Sequence, residues 1–192
     1  TNHLDYRHEA RTLRNSIARY LQSDTLTASN KMTQDEFSAL FYTKEFPPYV
    51  YGGAGVHVEY LAAELAKLIE IEVRCFGDQD DQSNNLTVKG FPFENPVFDD
   101  ADDKLKSVFK TLSTCLQMNA DAIDADVVHC HTWYAHFAGI VAKLCYGTPL
   151  VITTHSLEPL RPWKREQLGR GYDASSWIEK TAIDNNMNDN WI

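Results

Sequence analysis

Hydrophobic and polar positions along this chain follow two different periods, and the two alternate between residues 38 and 155. Apolar runs of strand length, bounded by glycine, proline or polar residues, predict strands at 39–43, 71–76, 86–91, 126–131 and 150–155. Apolar residues spaced three and four apart predict helices at 56–68, at about 101–119, and through about residue 146. Strands that alternate with helices indicate an α/β fold, in which a parallel sheet is covered by helices on both faces.

The two ends of the chain differ from this alternating region. Residues 4–22 have the spacing of a short amphipathic helix, and the polar residues 23–36 are typical of a linker. Residues 156–183 are predicted as loop and helix. The chain is therefore predicted to have three parts, namely a helical and polar extension over 1–36, an α/β domain over 37–183, and a polar tail over 184–192.

Composition and charge narrow the class of protein. Of the 192 residues, 43% are hydrophobic and 23% are charged, as in soluble globular proteins. A net charge of −9 argues against general nucleic-acid binding. No apolar run approaches the length of about 18 residues that a membrane span needs, and the first thirty residues lack the apolar stretch of a signal peptide. A cytoplasmic protein with no membrane or nucleic-acid partner is expected, with free thiols at its four scattered cysteines, Cys75, Cys115, Cys130 and Cys145.

A glycine-rich turn between the first predicted strand and the first predicted helix is the main sign of a binding site. The loop from Lys44 to Gly55 is roughly twice as long as the 2–6 residues that such connections usually need, and Pro47 and Pro48 stiffen it. Backbone N–H groups at a helix N-terminus bind anions, and glycine lets a ligand reach them. The loop therefore predicts a phosphate site, with a tight structural turn as the simpler alternative.

Histidines follow two later strands at the sheet edge where ligands of α/β proteins bind. His129 and His131 are two residues apart on one predicted strand, so they share a face, and His155 follows the last strand. The preferred interpretation is a histidine that contacts sugar or phosphate. Two alternatives stay open: core histidines bonded to backbone carbonyls, and a zinc site with a third ligand from His136, His155 or a cysteine.

A basic loop stiffened by proline comes directly after His155. Its Arg161 and Lys164 either donate hydrogen bonds to hydroxyls or a diphosphate, or form only a solvated basic rim. Trp163 between them is either core packing or a surface on which a carbohydrate stacks. The aromatic Trp133 after the earlier strand has the same two interpretations, packing support or an apolar platform.

Four segments, in this order along the chain, together resemble bacterial glycogen synthases of the actinobacterial type, which are retaining GT-B glycosyltransferases. The segments are KEFPPYVYGGAGVHV (44–58), VRCFG (73–77), VVHCHTWYA (127–135) and HSLEPLRPWK (155–164). The resemblance covers about residues 39–182. It implies a Rossmann-like domain that forms the N-terminal half of a GT-B fold.

The resemblance also implies an activity and its residues. Glucose would pass from ADP-glucose or UDP-glucose to an α-1,4-glucan or to glucose 1-phosphate, with retained configuration and with neither metal nor cofactor. Catalytic roles fall on His155 and His131, with His155 near the donor glucose. Substrate or donor binding falls on Lys44, Gly52, Gly53, Gly55, Trp133, Tyr134, Arg161 and Lys164. Many glycogen and starch synthases have Asp at the position of Thr132, so no acidic contact is expected there.

One departure from the family is large. GT-B enzymes have two Rossmann-like domains, and most of the nucleotide site lies in the C-terminal one, whereas this sequence reaches the end of the first. We expect the 192 residues to form an acceptor-side domain with little or no transferase activity alone. The alternatives are a non-enzymatic module that binds carbohydrate or nucleotide sugar and, less favoured, a zinc enzyme built on His129, His131 and His155.

Overall fold

The computed structural model describes residues 3–24, 37–93 and 96–187, and its central element is a six-stranded sheet. The strands in these ranges are β1 (Ser38–Thr43), β2 (Glu70–Phe76), β3 (Asp80–Ser83), β4 (Leu86–Phe91), β5 (Val127–His131) and β6 (Leu150–Thr153). The helices in these ranges are α1 (His3–Asp24), α2 (Gly53–Leu65), α3 (Asp103–Met118), α4 (Trp133–Tyr146), α5 (Lys164–Leu168) and α6 (Arg170–Met187). The predicted α/β fold is confirmed.

The strand order is β3-β4-β2-β1-β5-β6, and every neighbouring pair is parallel except β3 with β4. From β1 the chain proceeds to one side through β2 and β4. It then crosses over and places β5 on the other side of β1. The carboxyl ends of β1 and β5 therefore border a topological switch point, which is where open α/β sheets bind their ligands.

The sheet has an apolar layer on each face. Along β1, Ala39 and Phe41 point to the layer formed with α1 and α2, while Leu40 and Tyr42 point to the layer formed with α3 and α4. This alternation buries every side chain of the strand after the first, so β1 reads as a continuous apolar run. α6 packs outside α3 and α4.

α1 lies on the same face of the sheet as α2 and packs against it. Its Ala10 and Ile17 are buried in the core, and the rings of Tyr6 and Tyr60 stack with centroids 5.3 Å apart. The helix predicted at 4–22 is thus present with slightly wider bounds. Most of the predicted linker, residues 25–36, and the end of the predicted tail, residues 188–192, lie outside the described residues.

The polar residues 78–85, for which the hydrophobic pattern predicts no strand, contain strand β3. β3 pairs antiparallel with β4 through a turn at Asn84, which has a φ of 45°. All four β3 side chains are exposed at the sheet edge, so the strand needs no apolar residues and leaves no hydrophobic pattern in the sequence. The last strand, predicted at 150–155, ends at Thr153 because the chain turns there towards the loop that carries His155.

All four cysteine thiols are free, as predicted. Cys75, Cys115 and Cys130 are buried, whereas Cys145 is exposed near the end of α4. Burial raises the pKa of the Cys75 and Cys115 thiols to about 12, so both stay protonated and unreactive. In the described part of the chain, no helix combines the length and apolar character needed to cross a membrane.

Candidate functional site at the switch point

Predicted site residues from three strands converge at the switch point between β1 and β5. Lys44 follows β1, His131 ends β5 and His155 follows β6. The Nδ1 atom of His131 lies 3.3 Å from Nε2 of His155, so residues 24 positions apart form one hydrogen-bonded pair. His57, in the second turn of α2, joins them with its ring centroid 5.0 Å from that of His155.

Together with His129, these residues form a cluster of four imidazoles. Ring centroids are 4.1 Å apart for His129 and His131, and 5.8 Å apart for His57 and His131. Burial, reinforced by the neighbouring imidazoles, lowers the pKa of His131 well below its ordinary value and the pKa of His129 to about 3. These two rings are therefore neutral at pH 7. A neutral imidazole offers one donor and one acceptor, which suits a sugar hydroxyl.

The glycines of the turn before α2 fall into two kinds. A Cβ on Gly55 would lie 2.8 Å from Cβ of Glu45 and 3.0 Å from Cγ1 of Val50, so close packing requires glycine there. A Cβ on Gly53 would meet no atom within 4 Å, and one on Gly52 would meet only the Glu45 carboxylate at 3.9 Å. Neither residue has a left-handed φ. Neither packing nor backbone conformation therefore requires glycine at positions 52 and 53. The two glycines instead leave open space at the N-terminus of α2.

Glu45 holds this turn in place from the end of β1. Its Oε2 accepts hydrogen bonds from the backbone N–H groups of Tyr51, at 3.0 Å, and Gly52, at 2.9 Å. A carboxylate near the positive end of α2 is electrostatically favourable. Its charge also raises the pKa of His155, against a larger lowering by burial and by His57. Glu45 therefore connects the glycine-rich turn to the histidine cluster.

The junction between β5 and α4 contains a strained residue. Thr132 has φ 66° and ψ 159°, a region that β-branched residues rarely adopt and that costs about 1–3 kcal/mol. Its N–H donates to the carbonyl of Thr153 at 3.2 Å, which ties the junction to β6. The strained turn lets α4 begin directly after His131, so a second helix N-terminus faces the same sheet edge as α2.

Lys44 and two aromatic residues form one wall of the site. The Nζ of Lys44 lies 3.9 Å from the ring centroid of Tyr134, a cation–π contact, and Trp133 stacks on Tyr134 at 4.2 Å. Burial lowers the pKa of Lys44. Lys44 also borders a cavity of about 500 Å³. Its lining includes Asp78 and five aromatic residues, Tyr49, Tyr51, Phe76, Phe91 and Phe93. This cavity has room for a sugar ring beside a cation.

Arg161 and Lys164 are engaged by a buried carboxylate. Glu158 lies 2.7 Å from Nζ of Lys164 and 3.7 Å from an Nη atom of Arg161. The N–H of Glu158 in turn donates to Oε2 of Glu179 on α6 at 2.5 Å. This network fixes the loop that follows His155. The donor-binding role of the two cations remains a prediction.

Glu179 makes the stability of this network depend on pH. Burial raises its pKa from 4.5 to about 7, helped by the charge of Glu158 and opposed by the hydrogen bond from the Glu158 N–H. A carboxyl group whose pKa is higher in the folded than in the unfolded protein contributes its stability fully below the unfolded pKa, here 4.5. That contribution is lost as the pH rises through the folded pKa of about 7. We expect Glu179→Gln to raise the unfolding free energy at pH 8 by on the order of 3 kcal/mol.

Urea unfolding of the parent and of Glu179→Gln at pH 5 and pH 8 checks this expectation. The variant should gain little at pH 5, where Glu179 is already neutral, and its advantage over the parent should grow between pH 5 and pH 8. Glu166→Gln, a change of the same kind at an exposed carboxylate on α5, is the control and should follow the parent. Equal pH dependence in the parent and Glu179→Gln would contradict the assignment.

The region that contains this site matches a known protein family. The family model described as Glycosyltransferase Family 4 matches residues 51–185. The chain belongs to glycosyltransferase family 4. The match includes the open glycine Gly53, the histidine cluster and the Glu158 network.

Relatives of this family 4 chain carry several names. It is 49% identical over 142 residues to an alpha-maltose-1-phosphate synthase of Mycolicibacterium smegmatis and 46% identical over 144 residues to one of Mycobacterium tuberculosis. These matches cover 74% and 73% of this chain, but only 34% of each relative. An uncharacterized glycosyltransferase of Methanocaldococcus jannaschii is 30% identical over 122 residues, which are 60% of this chain and 30% of that protein.

A solved structure gives the fold. Sucrose-phosphate synthase from Thermosynechococcus elongatus superposes with a TM-score of 0.55 at 12% identity, over 78% of this chain and 40% of that one. The predicted GT-B type of fold is confirmed for this family 4 chain, and so is the resemblance to glycosyltransferases. The narrower resemblance to glycogen synthase is not confirmed, because the mycobacterial relatives bear a different synthase name.

Some site residues of the family 4 chain were not identified from its sequence. His57 lies one helical turn after the glycines, and this spacing along α2 is the one feature of the sequence that could have placed it at the site. Glu45 is recognisable as a polar residue at the end of the first predicted strand, but its hydrogen bonds and the conformation of Thr132 depend on backbone geometry that no local pattern reveals. The zinc alternative assumed His129, but His129 Nε2 lies 2.8 Å from the Thr153 hydroxyl, and the structure instead places His57 with His131 and His155.

Proposed function

We propose that this chain is the acceptor-side half of a retaining glycosyltransferase that moves glucose from a nucleotide sugar, ADP-glucose in the first instance, to a sugar acceptor. One observation carries the proposal: open glycines at the N-terminus of α2 lie beside neutral imidazoles at the switch point of the sheet. Residues 37–183 form the domain in this proposal, with 1–36 as an extension to it.

The proposed chemistry uses charge stabilisation. The bond between C1 of the donor glucose and the diphosphate oxygen breaks, and C1 bonds to a hydroxyl oxygen of the acceptor, whose proton leaves with the diphosphate. The N–H groups of the first turn of α2, after the Gly52 N–H that Glu45 accepts, and the dipole of the helix stabilise the charge that develops on the leaving group. His155 binds a hydroxyl group of the donor glucose, and His131, buried behind it, holds the His155 ring in place through their 3.3 Å contact. Burial keeps both rings uncharged.

Glucose 1-phosphate is the acceptor we favour, with the end of an α-1,4-glucan as the alternative. The mycobacterial relatives are named as synthases of alpha-maltose 1-phosphate, a product that contains two glucose units and one phosphate. Joining a donor glucose to glucose 1-phosphate gives a product of that composition. Lys44 lines the aromatic cavity, and we assign to it the binding of the acceptor phosphate.

A second domain completes the enzyme in this proposal. The chain spans about a third of the length of its mycobacterial relatives, 34% in each case. The nucleotide and the remaining cations for the diphosphate are assigned to the part that the chain does not match. The isolated 192 residues are then expected to bind acceptor and turn over little or no donor.

The test compares two proteins under the same conditions. One is the 192-residue chain, and the other joins it to the part of the M. smegmatis relative that lies outside the matched region, here called the fused enzyme. ADP release and the glycosylated product are measured with ADP-glucose plus either glucose 1-phosphate or glycogen. Transfer to glucose 1-phosphate by the fused enzyme alone is the expected result. Full turnover by the isolated chain would overturn the two-domain proposal, and glycogen retention without turnover in either protein would favour a binding module.

A further inference from the structure

Three histidines of the cluster come together in a way that the proposed transfer reaction does not require. His57 of α2, His131 of β5 and His155 after β6 each offer a ring nitrogen, and these three atoms all lie within 4.8 Å of one another. They come from three separate elements, whose positions are fixed by the sheet and by the packing of α2 on it. The arrangement therefore belongs to the folded domain and not to a local sequence motif.

The spacing of the nitrogens is close to that of a metal site. A zinc ion binds histidine nitrogens at about 2.0–2.1 Å, which in tetrahedral geometry puts two ligand nitrogens about 3.3 Å apart. Nδ1 of His131 and Nε2 of His155 are 3.3 Å apart. His57 is half-buried in α2, and its nitrogen, within 4.8 Å of the other two, would have to approach them by up to about 1.5 Å to reach the same spacing.

The chemical state of the rings also suits a cation. Nε2 of His57 is buried and has no hydrogen-bond partner among the described residues, which is costly for a polar atom in a protein interior. Oε1 of Glu9 on α1 lies 3.4 Å from His57 Nε2 and supplies a nearby negative charge.

We propose that His57, His131 and His155 form a binding site for a divalent transition-metal ion of the zinc class. The ion binds the three imidazoles and leaves a fourth position open towards the crevice. The site overlaps the place assigned above to the donor glucose, so the metal is a competitor of that sugar and not a requirement of the transfer. Metal binding itself is independent of the proposed function.

The test uses the metal alone with the 192-residue chain, so its outcome does not depend on transferase activity. All proteins carry Cys145→Ser, which removes the exposed thiol, and are freed of metal with a chelator. Zn²⁺ binding is measured by calorimetry, and Co²⁺ binding by visible absorption. One ion per chain is expected with a Kd of about 10 µM or lower, accompanied by a rise in the unfolding midpoint.

Variants decide whether these three histidines are the ligands. His57→Ala and His155→Ala alter partly exposed residues and should fold, and each should weaken binding at least about tenfold. His8→Ala, an exposed histidine of α1 outside the trio, is the control and should bind like the parent. The proposal is overturned if no ion binds at 100 times the expected Kd, or if His57→Ala and His155→Ala bind as tightly as His8→Ala.

Discussion

Replacing Gly52 and Gly53 together by valine is expected to lower kcat/KM of the fused enzyme by about 100-fold or more while leaving its unfolding midpoint unchanged. A Cβ at Gly53 would meet no atom within 4 Å, and one at Gly52 would meet only the Glu45 carboxylate at 3.9 Å. The valines therefore cost the fold little and instead occupy the space in front of the α2 N-terminus. Initial rates with ADP-glucose and glucose 1-phosphate, with thermal unfolding of the same samples, measure both effects.

A graded control separates blocked access from general damage. The double change to alanine adds one methyl group at each position and should give a smaller loss, between the parent and the valine variant. Gly55→Ala should instead lower the unfolding midpoint, because its Cβ would contact Glu45 and Val50 at 2.8–3.0 Å. Undiminished activity in the double valine variant would show that no diphosphate binds at this turn.

Gly139→Val should lower the unfolding free energy of the isolated chain by about 3 kcal/mol or more. Gly139 lies on the face of α4 that packs against the sheet. A Cβ there would collide with Sγ of Cys130 on β5 and would lie 2.6 Å from Cδ1 of Leu150 on β6. Both neighbours are completely buried, so relief would require α4 to move off the sheet.

Urea unfolding with a linear extrapolation measures the loss. Cys145→Val, on the same helix but exposed, is the matched control and should change stability by less than about 1 kcal/mol, mainly through helix propensity. Gly139→Ala should fall between the control and Gly139→Val. Equal stability of Gly139→Val and Cys145→Val would mean that α4 does not contact the sheet as closely as described.

Most of the fold could be predicted because hydrophobic periodicity reports burial. The run Ala39–Thr43 is apolar at nearly every position since both faces of β1 are covered, and that pattern is hard to miss. β3 could not be found in the same way. Its four side chains are exposed, and its strand geometry comes from backbone pairing with β4, which leaves no trace in the hydrophobic pattern.

The candidate site was predictable only as far as one topological rule reaches. Because parallel strands end at one edge, Lys44, His131 and His155 could be placed together from the sequence. The side chains that contact those residues could not be predicted from the sequence. His57 reaches the cluster through the packing of α2, and Glu158 meets Glu179 because α6 packs against the loop after β6. Such contacts depend on distances between elements, to which sequence spacing gives no access.

The acidic edge strand β3 bears on how copies of this domain behave at high concentration. An open strand edge offers unpaired N–H and C=O groups that can recruit a strand from another molecule and start aggregation. Asp80 and Asp81 place two exposed carboxylates on this short edge, so an incoming β3 of a second copy would meet like charges in a sheet that grew edge to edge. Neutral residues at both positions would remove that repulsion and make the purified domain more prone to form fibrous aggregates.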